Sequence, residues 1–222
     1  MEYPELKITR LFDLERTAAK EYLSRFEYPW EALGGISQMI AELSKTLGGD
    51  YEERAEGVFV HRTAKVAPTA YLGAPCIIGA GSEIRHCAFI RGSALVGENC
   101  VVGNSVELKN AILFDGVQVP HFNYVGDSIL GYRSHMGAGS ITSNIKSDRT
   151  PVGIRYHDAR ILTGLKKMGA ILGDFVEIGC NSVLNPGTVI GRNTSVYPLS
   201  SLRGAYPEGS IVKDGKTVVP RV

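Results

Sequence analysis

An aliphatic residue recurs at every sixth position through a long part of this chain. The first series consists of Val60, Val66, Leu72, Ile78, Ile84, Ile90, Val96, Val102 and Leu108. A second series consists of Leu172, Ile178, Leu184, Ile190, Val196 and Leu202. Repetition at a fixed short period is typical of a solenoid, whose units are too small to fold alone and stack on one another. Each six-residue unit predicts one short strand and one turn, with the aliphatic side chain pointing inwards.

Glycine often follows the repeated aliphatic residue, as in Leu72-Gly73, Ile78-Gly79 and Val102-Gly103. Glycine is suited to this place because its backbone can bend where other residues are strained. The chain has 26 glycines in 222 residues and only 8% aromatic residues, whereas glycine usually makes up ~7%. The composition therefore favours a mainly β chain with many turns and a narrow aliphatic interior.

Residues 1–57 have a different pattern, which predicts an N-terminal helical cap. One apolar stripe at helical spacing consists of Leu11, Leu14, Ala18 and Tyr22. A second apolar face runs from Trp30 to Leu47 and ends at Gly48-Gly49, a typical helix stop. The acidic stretch 50–53 then predicts a linker before the repeat domain, 58–222. We expect the helices to cover an end of the solenoid, because repeat folds need their ends covered.

Charge and cysteine content narrow the possible functions. The formal net charge of +1 argues against a nucleic-acid partner, which would require a basic excess. No apolar run is long enough to span a membrane, and the N-terminus lacks the pattern of a signal peptide; we expect a cytoplasmic protein. The four cysteines, Cys76, Cys87, Cys100 and Cys180, lack metal-site spacing. They predict small buried thiols and no bound metal.

The hexapeptide pattern resembles that of the hexapeptide transferases. The resemblance implies a left-handed parallel β-helix with three hexapeptides, or 18 residues, in each coil. It also implies a homotrimer, with active sites between neighbouring prisms, which is compatible with closed cyclic symmetry.

Residues 91–144 carry a more specific resemblance, to the acetyltransferase domain of the bacterial bifunctional glucosamine-1-phosphate acetyltransferase/N-acetylglucosamine-1-phosphate uridylyltransferase. Three segments carry it in the family's order: Gly103–Lys109 (GNSVELK), His121–Asp127 (HFNYVGD) and Met136–Asn144 (MGAGSITSN). The resemblance implies transfer of an acetyl group from acetyl-CoA to the amine of an amino-sugar 1-phosphate. Glucosamine-1-phosphate, a precursor in nucleotide-sugar and cell-envelope synthesis, is the expected acceptor.

The resemblance also implies roles for individual residues. It makes His121 the general base, which a neutral imidazole can be near pH 7. The residues expected to bind the sugar phosphate are Arg91, Lys109 and Tyr124. The residues expected near acetyl-CoA are Ala138, Asn144 and Cys180. His135 stands where the family has an asparagine that helps to bind the acceptor.

Elementary geometry supports part of this assignment. With 18 residues in each coil, Arg91 and Lys109 lie on adjacent strands, roughly 4.8 Å apart. Two cations this close repel unless an anion lies between them, and a sugar phosphate would supply one. The six-residue rhythm slips after Leu108, which predicts that His121 points out of the wall. Glu107, one coil earlier, is expected to orient the imidazole as part of the catalytic machinery, and N–H groups in the stretch 137–139 are candidates to bind the thioester oxyanion.

The chain departs from the family pattern in several places. Ile145 replaces an aromatic residue, and a basic loop insertion is predicted at 145–167, with six cations and two acids between Lys146 and Lys167. This insertion would clamp phosphates of coenzyme A or of the substrate, or else form a solvated loop. The family's nucleotidyltransferase domain is absent, so uridylyl transfer is not predicted, and a separate partner protein would have to supply it.

Two other functions fit parts of the sequence. A non-catalytic sugar-phosphate sensor or assembly subunit would use the same prism, and His135 and Ile145 would then mark a decayed site. A hexapeptide carbonic anhydrase would need three histidines that converge on zinc from adjacent coils. Only His121 and His135, among five histidines, are near one another in sequence.

Overall fold

A computed structural model describes residues 2–221, so that Met1 and Val222, the outer ends of the two predicted segments, lie outside it. From residue 58 onwards the chain winds as a parallel β-helix, whose strands stack in register from coil to coil. The repeated aliphatic side chains fill its interior; Ile78, Val96 and Val102, for example, have no exposed surface. The mainly β solenoid predicted from the six-residue period is confirmed.

The prism has three faces, called A, B and C in the order in which the chain meets them. Face A contains Val58–His61, Cys76–Ile78, Ala94–Val96, Ala170–Leu172, Thr188–Ile190 and Ala205–Tyr206. Face B contains Lys65–Val66, Glu83–Ile84, Val101–Asn104, Gln118–His121, His135–Met136, Glu177–Ile178, Ser195–Val196 and Ser210–Val212. Face C contains Tyr71–Leu72, Phe89–Ile90, Ile141–Thr142, Val183–Leu184 and Ser201–Leu202. The long strands Glu107–Leu113 and Tyr124–Leu130 begin on face C and end on face A.

The coil length changes in the middle of the prism. Leu108 pairs with Ile90, 18 residues earlier, as predicted. Leu108 also pairs with Val125 in the next coil, however, so the following turn of the helix has 17 residues. The residue is lost at the corner between faces C and A, where Asn110 alone, with φ of 52°, replaces the pair Gly92-Ser93. This shortening is the slip that the sequence indicates after Leu108.

The helical segment lies along face A, and the prediction that it covers an end of the solenoid is wrong. Residues of face A that point outwards are buried: Ile77 and Leu95 are both 1% exposed. Phe12 packs on Phe114 with ring centroids 4.9 Å apart, and the Asp13 N–H donates to the Asp174 carboxylate over 2.7 Å. The helices therefore supply the apolar partner that face A needs.

The local structure of the N-terminal segment also differs from the prediction: the first helix is broken up, and the second begins as a 3₁₀ helix. Its α-helices are Ile8–Leu11, Lys20–Leu23 and Ile36–Leu43, and its 3₁₀ helices are Pro4–Leu6, Leu14–Arg16, Pro29–Gly35 and Ser44–Thr46. The stripe from Leu11 to Tyr22 is thus divided among short helices, whereas the predicted second helix is present with a 3₁₀ start.

No helix within residues 2–221 is both long and apolar enough to cross a membrane.

One face at each end of the prism is covered by an antiparallel strand: face A at the first end and face B at the second. Residues 50–53, predicted as a linker, mostly belong to the strand Tyr51–Ala55, which pairs with Val58–His61. At the other end, Val218–Pro220 pairs antiparallel with Ser210–Val212.

The insertion is a β-hairpin and not the predicted basic loop. Its strands Gly153–Tyr156 and Ala159–Leu162 pair antiparallel, and Ile154 is fully buried. The Tyr156 hydroxyl donates to Glu5, and the Tyr156 ring lies 5.4 Å from that of Tyr3. The hairpin therefore packs on the N-terminal segment through one side, while Arg155 and Arg160 are exposed.

Candidate active site

Three of the predicted site residues form one column at the corner between faces B and C. The Gly139 N–H donates to the His121 carbonyl over 3.0 Å, and the Asn181 N–H donates to the Ala138 carbonyl over 2.8 Å. These ladder bonds put Ala138 one coil beyond His121 and Cys180 one coil beyond Ala138, with roughly 4.8 Å for each step. His121 and Cys180 are exposed, so both side chains face the same solvent-accessible corner.

His121 is exposed because the chain turns sharply after it. Phe122 has φ of 52°, a left-handed conformation that side chains rarely adopt outside tight turns. In the preceding coil, Gly103 lies directly beneath this turn, and a Cβ atom on it would be 1.5 Å from the Pro120 carbonyl oxygen. The glycine of the GNSVELK segment therefore allows the close approach of two coils beside His121.

Asn123, a residue for which the sequence motifs predicted no role, fixes the backbone at His121. It is 2% exposed and accepts a hydrogen bond from the His121 N–H over 3.1 Å. Its side-chain amide donates to the carbonyl oxygens of Gly137 (2.9 Å) and Ser140 (3.0 Å). The signal for this role in the sequence was an asparagine two residues after the histidine of the HFNYVGD motif.

Tyr124 lies on the face C side of the same corner. A Cβ atom on Gly126 would be 2.3 Å from the Tyr124 hydroxyl, so the glycine of HFNYVGD makes room for the phenol. Burial raises the pKa of the Tyr124 hydroxyl above its ordinary value. The Asn144 amide donates to this hydroxyl over 3.1 Å, which brings together a residue expected to bind the sugar and one expected near acetyl-CoA.

Arg91 and Lys109 lie in adjacent coils, as predicted, but they do not form an uncompensated pair of cations. Arg91 Nη1 lies 2.7 Å from Glu107 Oε1, and this hydrogen bond raises the pKa of the guanidinium. Lys109 Nζ lies 3.0 Å from Asp127 Oδ1. The predicted repulsion between the two cations is wrong, because each has its own carboxylate.

The same ion pair changes the interpretation of Glu107. Its carboxylate was expected to orient the His121 imidazole, yet its partner is Arg91. Glu107 pairs in register with Tyr124 on face C, whereas His121 lies at the end of a face B strand. Glu107 thus positions a residue of the predicted sugar-phosphate site, and the structure gives no hydrogen bond from it to His121 within residues 2–221.

His135 lies on face B, in a cleft of about 1040 Å³ that also contains Gln118, Arg133 and Arg221. Its Nδ1 atom lies 3.0 Å from Glu177 Oε2 in the next coil. His135 pairs in register with Gln118 on face B. Ala138 follows three residues later in the same coil, at the corner. His135 is therefore on the same side of the prism as His121 but outside the column.

The backbone at 137–139 provides one N–H group that could bind an oxyanion. The Gly137 N–H donates to the Ile178 carbonyl and the Gly139 N–H to the His121 carbonyl. The Ala138 N–H has no hydrogen-bond partner in the part of the chain that the structure describes. Of the three candidates, only Ala138 keeps its N–H available beside His121.

The cysteines divide into two classes, so the prediction of four buried thiols is half wrong. Cys76 and Cys100 are buried, and burial raises the pKa of each thiol to about 12. Cys87 and Cys180 are exposed. Among residues 2–221, no three His, Cys, Asp or Glu side chains converge in a way that would hold a metal ion.

The fold defines a hexapeptide-repeat protein, and comparisons with known proteins show what the chain is similar to. A family model described as the GMPPB C-terminal domain matches residues 88–194. The bifunctional protein GlmU of Methanococcus maripaludis (strain C5) is 30% identical over 193 residues, which make up 86% of this chain and 47% of the relative. The bifunctional sugar-1-phosphate nucleotidylyltransferase/acetyltransferase of Sulfurisphaera tokodaii is 34% identical over 91 residues, or 41% of this chain and 23% of the relative.

A hexapeptide transferase family protein from Anaplasma phagocytophilum is a structural neighbour, with a TM-score of 0.42 and 19% identity over 73% of this chain and 79% of the neighbour. The chain spans about half the length of the first curated relative. Taken together, the sequence matches support a GlmU acetyltransferase-like domain in this chain.

Proposed function

We propose that this protein is a cytoplasmic, acetyl-CoA-dependent N-acetyltransferase that acts on an amino-sugar 1-phosphate, with glucosamine-1-phosphate as the first candidate. The observation that carries the proposal is the column of His121, Ala138 and Cys180 beside Tyr124. Similarity to GlmU proteins over most of the chain supports the reaction class.

In the proposed reaction the sugar amine attacks the thioester carbonyl of acetyl-CoA. An N–C bond forms, the C–S bond breaks, and coenzyme A leaves as the thiol once its sulfur is protonated. His121 takes the proton that the amine loses and gives it to the departing sulfur, a role worth about 10²–10⁴ in rate. The Ala138 N–H is the candidate donor to the oxyanion, because its neighbours are engaged in the ladder. No covalent intermediate on the protein is required.

The column suggests how acetyl-CoA would lie. His121, Ala138 and Cys180 follow one another along the prism axis, and the two steps span roughly 10 Å. An extended pantetheine arm would run along this corner, with the thioester at His121 and Ala138. Tyr124, where face C begins, and Arg91 and Lys109, where face C ends, would hold the sugar phosphate. His135 would approach the acceptor from face B or from a neighbouring prism of a homotrimer.

Acetylation assays over a panel of amino-sugar phosphates and nucleotide amino sugars would test the proposal, with the product identified by mass spectrometry. We expect His121→Ala to abolish acetylation and to leave the oligomeric state unchanged. His86→Ala is a matched control, because His86 lies two coils earlier at the same corner, and it should retain wild-type turnover.

The result also separates the alternative functions. If acetyl-CoA gave no binding heat at millimolar concentration while a sugar phosphate bound, the protein would be a non-catalytic sensor or assembly subunit. Unchanged turnover in His121→Ala would remove His121 from the mechanism.

A further inference from the structure

Asp127 is a buried carboxylate at the centre of the candidate acceptor site, and the proposed reaction gives it no role. Its residue is 5% exposed. Lys109 Nζ donates to both of its oxygens, over 3.0 and 3.1 Å. The side-chain amide of Asn110 donates to Oδ1 over 2.9 Å, and that of Asn144 donates to Oδ2.

These contacts offset the cost of burying the charged Asp127 carboxylate. A buried carboxylate is costly unless it is paired and hydrogen-bonded. Lys109 supplies the opposite charge, and two amides supply further donors from the adjacent coils. In return, the carboxylate holds the Lys109 ammonium and the Asn144 amide at fixed places, and Asn144 in turn reaches the Tyr124 hydroxyl.

The cluster is also tied to the helical segment. The Asn110 amide donates to the Leu33 carbonyl over 3.1 Å as well as to Asp127. Asn110 can reach both because it occupies the one-residue corner with φ of 52°. The shortened coil therefore joins the helices over face A to the carboxylate that holds Lys109.

We infer that Asp127 is a positioning residue, which acts through Lys109 to set the acceptor-binding geometry. The inference rests on the proposed function, since it takes Lys109 as a ligand of the sugar phosphate. Without the carboxylate, the flexible Lys109 side chain would lose its anchor, and the loss would fall on acceptor binding and not on acetyl-CoA.

Asp127→Asn is the informative variant. Asp127 has φ of 48°, and asparagine tolerates this left-handed conformation as well as aspartate does. The side chains have the same shape, so the change keeps the backbone conformation, removes the charge and replaces one acceptor oxygen with a donor NH2 group. Asp174→Asn is a matched control, because Asp174 is a fully buried aspartate that accepts from the Asp13 and Tyr132 N–H groups and pairs with Arg192 away from the site.

Steady-state kinetics give the first measurement. We expect Asp127→Asn to lower kcat/KM for the amino-sugar phosphate by about 10- to 100-fold, mainly through KM, with the KM for acetyl-CoA within about twofold of wild type. In a Lys109→Met background, Asp127→Asn should cost less than about threefold, because residues that act through one another are not additive. Equal losses in both backgrounds would overturn the inference.

The second measurement needs no turnover. Reductive methylation followed by peptide mass spectrometry reports the accessibility of each lysine, with the exposed Lys65 as internal reference. We expect labelling of Lys109 to rise at least about threefold in Asp127→Asn and to stay unchanged in Asp174→Asn. Unchanged Lys109 labelling in Asp127→Asn would overturn the positioning role. If the wild-type protein acetylated no amino-sugar phosphate, the proposed function would fail, and this labelling would still decide whether Asp127 positions Lys109.

Discussion

The side-chain amide of Asn144 donates a hydrogen bond to the phenolic oxygen of Tyr124, over 3.1 Å, across the boundary between two coils. Asn144 is the last residue before the inserted hairpin, and the chain returns beside it, where the Met168 N–H donates to the Asn144 carbonyl over 2.9 Å. The hydrogen bond therefore connects the phenol at the candidate acceptor site to the base of the hairpin.

Tyr124→Phe removes this hydrogen bond and the hydroxyl that would contact the sugar phosphate. We expect kcat/KM for the acceptor to fall about five- to tenfold, the effect of one hydrogen bond between neutral groups. Tyr71→Phe is the control, since Tyr71 lies on the same face and is 59% exposed. Equal kinetics for the two variants would contradict a role for the Tyr124 hydroxyl.

Thiol labelling at pH 8 tests both the burial of the cysteines and the path of acetyl-CoA. Burial raises the pKa of Cys76 and Cys100 to about 12, so only about one thiol in ten thousand would be ionised at that pH. We expect iodoacetamide to modify Cys87 and Cys180 in the folded protein, and all four cysteines after unfolding.

Acetyl-CoA should then distinguish the two exposed thiols. At about ten times its Kd, it should slow alkylation of Cys180 roughly tenfold by occupying the site, while Cys87 reacts at an unchanged rate. Equal protection of both thiols, or of neither, would argue against a cofactor path along the column.

Asp174→Ala tests the attachment of the helices to face A. The change removes the acceptor of the Asp13 and Tyr132 N–H groups and the partner of Arg192, whose Nη2 lies 3.0 Å from Asp174 Oδ2. We expect the free energy of unfolding to fall by about 3 kcal/mol, because buried polar groups lose their partners. Chemical denaturation would measure this, and Asp158→Ala, at an exposed aspartate of the insertion, should leave the stability unchanged.

Gly103→Ala tests the close approach of two coils beside His121. A Cβ atom at residue 103 would lie 1.5 Å from the Pro120 carbonyl oxygen, whereas one at Gly34 would meet nothing within 4 Å. We expect Gly103→Ala to cost about 3 kcal/mol or to prevent folding, and Gly34→Ala to be neutral. A melting temperature for Gly103→Ala equal to that of Gly34→Ala would show that the coils can separate without cost.

The sequence predicted the prism because the repeated aliphatic side chains are buried together only if successive hexapeptides stack around a common interior. It did not predict what covers face A, although the signal was present. Segments such as Cys76-Ile77-Ile78 and Ala94-Leu95-Val96 are apolar at every position, as strands buried on both faces are. On the other faces, outward positions are often polar. In these face A segments the outward positions, Ile77 and Leu95, are apolar, which indicates that the face is covered.

The candidate site was predicted in part. The resemblance named His121, Ala138 and Cys180, and the ladder places them in one column. Residue spacing alone does not predict the step from Ala138 to Cys180, because the hairpin is inserted between them. The choice of partner by a long charged side chain does not follow from spacing, since Arg91 and Lys109 could each reach an anion on either adjacent coil. Glu107 and Asp127 take these places, and neither pairing was predicted.

The antiparallel strands at the two ends of the prism have a consequence for self-association. A parallel β-helix that ended on an open strand would offer unpaired N–H and C=O groups to another molecule, and rods could polymerise lengthwise. The outer strand Tyr51–Ala55 instead presents Glu52, Glu53 and Arg54, all exposed, in the opposite chain direction. At this edge of face A, charge and strand direction together oppose the addition of a further parallel strand from another molecule.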